Sequence, residues 1–401
     1  MTSVPDHADA VVAGGGVIGA SIAYYLVRHG LSVVVLERDR IGSGASSANP
    51  GTISLATKKP GPSLRLALAS GTLFETLQAE LGEEIEYERC GTLVVAENED
   101  ELGFLEQLVV GQQLQGAPVR MVDSAETIGL CPLLEGGQVA GGSFCSADAQ
   151  VNPFKLTYAF MMAASARGAE FVDGCRVLDV NVESGHVRGV RTELGTIKTT
   201  WLINAAGCWS PDIGRMVGVD HRVTPKRGQL MALAVPDAVP MIKVSAARQL
   251  RAKHASDAES SRPSALTFSY TYKPHSGTVL LGNTSEDAGF DLAVTTEALR
   301  WIASYAARLM PALGRYNVLR AWAGLRPHHE GGPIIGSGGG PGGYLVATGH
   351  GGDGVALSPV TGSMVAAMVT NGEAGTSIEE VLARIGVDAP VPYRGTAALS
   401  T

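Results

Sequence analysis

The sequence predicts an α/β chain in which a Rossmann-like nucleotide unit is interleaved with a β-sheet-rich, α+β second module. Three observations carry this. Residues 9–37 read as a strand, a glycine turn, a helix and a second strand ending in an acid. Residues 171–199 break into short alternating runs separated by Ser184-Gly185 and Leu194-Gly195, the pattern of a β-meander. Near the C-terminus a strand, a glycine loop and a helix return from residue 344. This order implies a discontinuous nucleotide domain over residues 1–80, 150–222 and 320–401. A second domain over 81–149 and 223–319 would bind substrate.

In chain order, Asp9-Ala-Val-Val-Ala13 is the first strand and Gly14, Gly16 and Gly19 shape the turn after it. Gly14 permits the tight turn, Gly16 lets backbone approach a pyrophosphate, and Gly19 lets the helix pack close to the strand. The helix N-terminus at Val17 and Ile18 offers free amides and a positive dipole end to phosphates. Ile18, Ile22 and Leu26 share one helical face, and Gly30 is a C-terminal stop. The second strand ends at Glu37, followed by Arg38; an acid there accepts hydrogen bonds from an adenosine ribose. Together these features predict a dinucleotide site, without separating FAD from NAD.

Residues 40–51 form a tight loop and Lys58-Lys59-Pro60-Gly61-Pro62 a break. Helical spacing runs over 64–81 and 99–115, with strands over 84–95, the best defined spanning Cys90 to Val95. Phe171-Val172, 176–182, 186–192 and 196–199 are the meander runs, ending in the buried strand from Trp201. Residues 223–289 read as further strands, interrupted at 245–265 by a polar, charged stretch with the character of a surface insertion. Residues 299–309 and 358–369 are helical, with Ser358 as N-cap and Pro359 at the first helical position. The last dozen residues read as a tail.

Composition narrows the function. Apolar residues make up 45% of the 401 residues and charged ones 17%, so a sizeable core is available. A net charge of -8 argues against nucleic-acid binding. Five cysteines without C-x-x-C spacing read as reduced thiols in a cytoplasmic protein. The N-terminal residues carry acids and no apolar run, so neither a secretory signal nor a transit peptide is expected, and no transmembrane segment is expected either. No metal site is expected.

Two more segments converge on the glycine turn. Leu202-Ile-Asn-Ala205-Ala206-Gly207-Cys-Trp209 is a strand ending in residues small enough for close backbone approach to a ligand. Leu345-Val-Ala-Thr-Gly-His350-Gly351-Gly352-Asp353-Gly354-Val355-Ala356 leads into a helix start whose dipole stabilises negative charge. With Gly324-Leu-Arg326-Pro between them, these motifs in this order resemble the glycine oxidase / D-amino acid oxidase superfamily of FAD-dependent amine oxidoreductases, over residues 9–370. The resemblance selects FAD and assigns positions. Gly14, Gly16 and Gly19 hold the pyrophosphate, and Glu37 the ribose. Ser43 to Ser47 lie along the ribityl diphosphate, with Ser46 and Ser47 as contacts. Asn49, Gly51, Thr52 and Ile53 pass the isoalloxazine, and the Val177 backbone meets adenine. Ala205, Ala206, Gly207 and Trp209 form the second FAD contact. Gly351 to Leu357 faces N1 and C2=O of the flavin, where a helix dipole favours the reduced, anionic ring.

On the substrate side the resemblance makes Arg326 the clamp for a substrate carboxylate, which suits its planar, bidentate guanidinium. The residues alone leave open a structural arginine paired with a core acid. Tyr270 and Tyr272 come from a region whose tyrosine bonds the carboxylate in relatives; core or interface roles remain the alternative. His350 either serves the flavin site or is a satisfied structural histidine, and His328 and His329 lie in a loop at the site mouth.

Departures from the family pattern carry information. Where glycine oxidase has an arginine after Gly-His, this chain has Gly352 and then Asp353, so a second carboxylate clamp is missing, a larger substrate is accommodated, and Asp353 can attract a cation or amine. No cysteine lies beyond Cys208, so non-covalent FAD is expected. The Gly-Asp-Gly-Val loop looks more like catalytic subunits of multi-component dehydrogenases, of the opine, proline or hydroxyproline dehydrogenase and hydrogen cyanide synthase type. A partner subunit would then accept electrons, with the 245–265 stretch as its surface or as a tolerated loop. The implied reaction is hydride transfer from the substrate Cα to flavin N5, giving an imine, with orientation rather than a side-chain base as the requirement. A flavin- or nicotinamide-binding protein without amine chemistry is the alternative from another class.

Overall fold

In the computed structural model, residues 3–236, 239–254 and 264–371 are described. Strand β1 (Ala10–Ala13), helix α1 (Val17–Arg28) and strand β2 (Val33–Leu36) form the N-terminal unit. β1 is central in a six-stranded sheet ordered Ile334–Gly336, Tyr344–Thr348, Trp201–Asn204, β1, β2, Glu170–Val172. All pairs are parallel except the one at Ile334–Gly336.

The strands alternate between two cores, the period of a sheet buried on both faces. Ala10, Val12, Val33, Val35, Ile203 and Leu345 face one core, and Val11, Ala13, Val34, Leu36, Leu202 and Val346 the other. The first is covered by α1 with helices Pro62–Leu81, Pro153–Ser165 and Gly354–Asn371. The second is covered by the meander Val177–Glu183, His186–Thr192, Gly195–Lys198. Phe171-Val172, expected in that meander, instead extends the parallel sheet beside β2. Its two-residue pattern is the same in either setting, so only the partner distinguishes them.

A second sheet has eight strands, ordered Val318–His328, Thr224–Ala234, Thr278–Glu286, Ser264–Lys273, Lys243–Ala246, Thr92–Ala96, Gly141–Cys145, Val119–Asp123. Helix Thr296–Leu309 buries Ile302, Tyr305 and Leu309 against it. Val318–His328 pairs along its length with Thr224–Ala234, so the expected boundary at 319/320 falls inside a strand and the long sheet continues to His328. The expected Cys90–Val95 strand begins at Thr92, because Gly91 turns the chain at φ 69° between Glu88–Arg89 and Thr92–Ala96. No helix among the described residues is long and apolar enough to cross a membrane.

Two expectations are corrected here. The stretch from 245 is not a surface insertion. Lys243–Ala246 is an interior strand of the long sheet, and Ala247–His254 is a helix that buries Ala247 and Leu250 while exposing Arg248 and Arg251. Its charged outer face gave it the composition of a loop. Residues 255–263 of that stretch, and the expected tail, lie outside the described residues. The last helix also begins at Gly354, not Ser358, and holds Pro359 inside its second turn. Proline removes the amide that would bond the Val355 carbonyl. The Ser358 hydroxyl donates to that carbonyl instead, at 2.9 Å, so it repairs the helix rather than capping it. Close packing of this helix on α1 needs Gly362, where a Cβ would lie 2.7 Å from Tyr25 Cδ2.

Candidate active site

A cleft of about 1640 Å³ runs from the C-terminal ends of the parallel strands to the end of the long sheet. Its first wall is the glycine turn. Gly14 has φ 115°, and a Cβ there would lie 2.5 Å from the Ala205 carbonyl oxygen, so the turn and the Ala-Ala-Gly strand end meet backbone to backbone. A Cβ on Gly19 would land on the Gly14 carbonyl, which fixes how closely α1 can approach. The Val17 amide in the first turn of α1 donates to Ser46 Oγ at 2.9 Å. Glu37 accepts from the Gly15 and Asp39 amides at 2.8 and 2.9 Å, so its carboxylate is pinned at the strand end. Arg38 lies over the Trp209 ring with its Cζ 3.7 Å from the centroid.

Gly14, Gly16, Val17, Ile18, Glu37, Arg38, Ser43, Ser46, Asn49, Thr52, Val177, Ala205, Ala206, Gly207, Trp209 and Gly351 to Val355 all line this cleft. Ser47, Gly51, Ile53, Ala356 and Leu357, all expected contacts, do not. The Ser47 hydroxyl is spent on the Ser43 and Gly44 carbonyls within its own 3-10 turn. Gly51 has φ 70° and packs on Val151 behind the wall, Ile53 is core, and Ala356 is buried inside the last helix with its carbonyl accepting from Ser70. Gly19 also lies behind the lining, in keeping with a packing role.

Tyr270 and Tyr272 are corrected. Both sit on the face of Ser264–Lys273 that packs toward Thr296–Leu309, outside the cleft lining. Tyr270 is fully buried and its hydroxyl donates to the Pro240 carbonyl at 3.0 Å. Residues two apart on a strand share a face, so one misplaced tyrosine implies both.

Arg326 does line the cleft. It lies near the C-terminal end of Val318–His328, and its Nη1 donates to the Thr284 carbonyl at 2.8 Å. The guanidinium crosses the neighbouring strand at Gly228, where a Cβ would lie 2.5 Å from Cζ. On its other side, a Cβ at Gly352 would be 3.6 Å from Nε. Burial draws the guanidinium down from its ordinary value, while the carboxylates of Asp353 and Glu286 oppose that. The result is a desolvated cation held by a neutral carbonyl, able to bind an anion in two-pronged fashion.

His350 lies in the wall, paired across a single bridge to His328. Its Nε2 is 3.1 Å from Thr361 Oγ1, and burial pushes the ring down to about 4, so it is neutral at physiological pH and tied to the last helix. His329 Nδ1 faces the Gly332 carbonyl at 2.9 Å. Two residues of the cleft carry no functional signal in the sequence. Gly228 gives no signal within an ordinary strand. Lys58, in a segment read only as a break, is buried in the cleft and paired with Asp353.

The chemistry of this lining fits a flavin dinucleotide. Two helix N-termini open into one cleft, at Val17 and Gly354. Backbone approach is enforced at Gly14, and an acid stands at the end of β2. Glu37, the α1 turn, Ser46 and Ala205 to Gly207 would hold the dinucleotide, and 351–355 the ring end.

The family model for FAD dependent oxidoreductases, DAO, matches residues 9–368. The chain is 29% identical to glycine oxidase of Geobacillus kaustophilus over 393 residues, 95% of this chain and 99% of the relative. The crystal structure of glycine oxidase from Geobacillus kaustophilus superposes with a TM-score of 0.83 at 28% identity, covering 94% of this chain and 98% of that one. Hydrogen cyanide synthase subunit HcnC of Pseudomonas protegens is 29% identical over 430 residues, 96% of this chain and 98% of its own. The chain belongs to the DAO family of FAD-dependent oxidoreductases, with a Rossmann-like FAD domain and FAD as its cofactor.

Proposed function

We propose that the chain oxidises the C–N bond of an amino acid of the D-, cyclic imino or N-substituted kind, giving an imine that water hydrolyses. The observation that carries this is Arg326, a desolvated cation in the cleft whose Nη1 donates to the neutral Thr284 carbonyl. Arg326 binds the substrate carboxylate and thereby orients the Cα–H bond. FAD, bound non-covalently, supplies the two-electron acceptor. Orientation replaces a side-chain base, provided the substrate amine enters neutral. The N-terminus of Gly354–Asn371 contributes a positive dipole end to that side of the cleft. Five free thiols accord with a cytoplasmic location.

A second reading makes the chain the catalytic subunit of a multi-component dehydrogenase that passes electrons to a partner. It is favoured by the relative of nearly equal length whose name is that of a synthase subunit.

The test is anaerobic bleaching of the flavin across D-, N-methyl, cyclic and opine-type amino acids. Bleaching by none of them sinks both readings. Rapid reoxidation by air favours an oxidase acting alone; dependence on a dye or a co-purifying subunit favours the second reading. Arg326→Ala is expected to raise KM by about tenfold or more with FAD retained. Unchanged kinetics remove Arg326 from substrate binding.

A further inference from the structure

Lys58 is a buried cation in the cleft, with 5% of its side chain exposed, and its Nζ forms an ion pair with Asp353. The segment before it is rigidly held. Gln112, itself fully buried, donates its side-chain amide to the carbonyls of Leu55, Ala56 and Lys58 at 3.3, 3.1 and 2.8 Å. The Lys58 amide closes a turn onto Leu55 at 2.9 Å. Its Cα is therefore fixed, and its chain reaches across the cleft to the turn that precedes the last helix.

That turn carries Asp353, which pairs with Lys58 and acts on a second cation, Arg326. The Gly351 amide bonds the Pro327 carbonyl at 2.8 Å, and Gly352 packs beside the Arg326 Nε, so turn and strand end are joined. Asp353 acts electrostatically on the guanidinium. A carboxylate close to a desolvated guanidinium tends toward a bidentate pair with it. Such a pair would occupy the groups that Arg326 offers to a ligand. The structure has Arg326 bonded to the Thr284 carbonyl and Asp353 bonded to Lys58.

We infer that Lys58 is a positioning residue: its ion pair helps to hold the Asp353 carboxylate away from Arg326 and so keeps the guanidinium open to a substrate carboxylate. This rests on Arg326 being the carboxylate clamp. The cation at this point of the cleft comes from residue 58 and serves the clamp indirectly.

The test uses the FAD-loaded protein and acetate as probe, with acetamide as the uncharged control, read as perturbation of the flavin absorption band. Lys58→Met should weaken acetate binding about tenfold or more and raise KM alike, with kcat changed little. Adding Asp353→Asn to Lys58→Met should restore most of that affinity, because the competing carboxylate is gone. Lys58→Arg keeps the charge and should behave as the parent protein, which guards against a Lys58→Met variant that folds poorly. Unchanged acetate affinity in Lys58→Met overturns the inference. So does a double variant as weak as Lys58→Met, which would mean that Lys58 touches the ligand or only supports the fold. If Arg326→Ala leaves acetate binding unaltered, the clamp itself has failed, a result separable from both.

Discussion

Gly228→Ala perturbs the clamp through a neighbouring strand. Gly228 lies in Thr224–Ala234, directly opposite Gly324, and the Arg326 side chain crosses it diagonally. A new Cβ would lie 2.5 Å from Arg326 Cζ, well inside contact distance. The obstacle is the far end of a flexible side chain, so the guanidinium yields and the backbone stays. Alanine suits a strand better than glycine by about 0.5–1 kcal/mol, which offsets part of an overpacking cost of about 1–3 kcal/mol. Fold and FAD content should therefore survive. The displaced guanidinium loses its bond to the Thr284 carbonyl and its aim at the substrate. A hydrogen bond to a charged group contributes about 1.5–3 kcal/mol, so kcat/KM should fall roughly 10- to 100-fold. The assay is steady-state kinetics with the best substrate from the anaerobic panel, beside acetate binding and flavin content. A kcat/KM unchanged within about twofold would refute the placement of Arg326 as the clamp. Loss of FAD would show that the damage spreads beyond it.

Three further outcomes are expected. Gly19→Ala sets a Cβ against the Gly14 carbonyl, which is backbone and cannot step aside; purified protein should carry little FAD and be destabilised by about 1–3 kcal/mol or more, checked by the flavin-to-protein absorbance ratio and a denaturant melt. His350 titrates near 4 when folded against an ordinary value of 6.5. The unfolded chain then binds the extra proton, so stability is fully present above about pH 6.5 and falls toward pH 4, by on the order of 3 kcal/mol. His350→Gln should flatten that slope in urea titrations across this window, and an unchanged slope would assign it to other groups. Ser358→Ala leaves the Val355 carbonyl without its repair and should cost about 1–3 kcal/mol, largely recovered in the double variant with Pro359→Ala, which restores an amide; equal stability of Ser358→Ala and parent would contradict that account.

Much of the cofactor end was legible in the sequence because its constraints are local and steric. Gly14 needs a positive φ, Gly19 must let α1 touch the turn, and the strand with its terminal acid is contiguous with both. Strand Tyr344–Thr348 and the helix over 299–309, which the structure starts at Thr296, likewise follow from periodicity. Elements whose pattern fits two settings are not decided by the sequence. Phe171-Val172 suits a meander or a parallel edge, the helix Ala247–His254 has the composition of a loop, and Pro359 marks a helix start unless a serine hydroxyl replaces the missing bond.

The sequence by itself determined the glycine turn and the strand–helix–strand unit around it, because each glycine there answers to a neighbour within a few residues. The tertiary structure alone decided what surrounds Arg326. Thr284, Gly228 and the Lys58–Asp353 pair reach it from separate strands and turns, Lys58 and Asp353 lying 295 residues apart. Burial, and with it the strength of a charge, depends on that assembly and has no signature in any one segment. Tyr270 makes the same point from the other side: its type suited the site, and its face of the strand took it into the core.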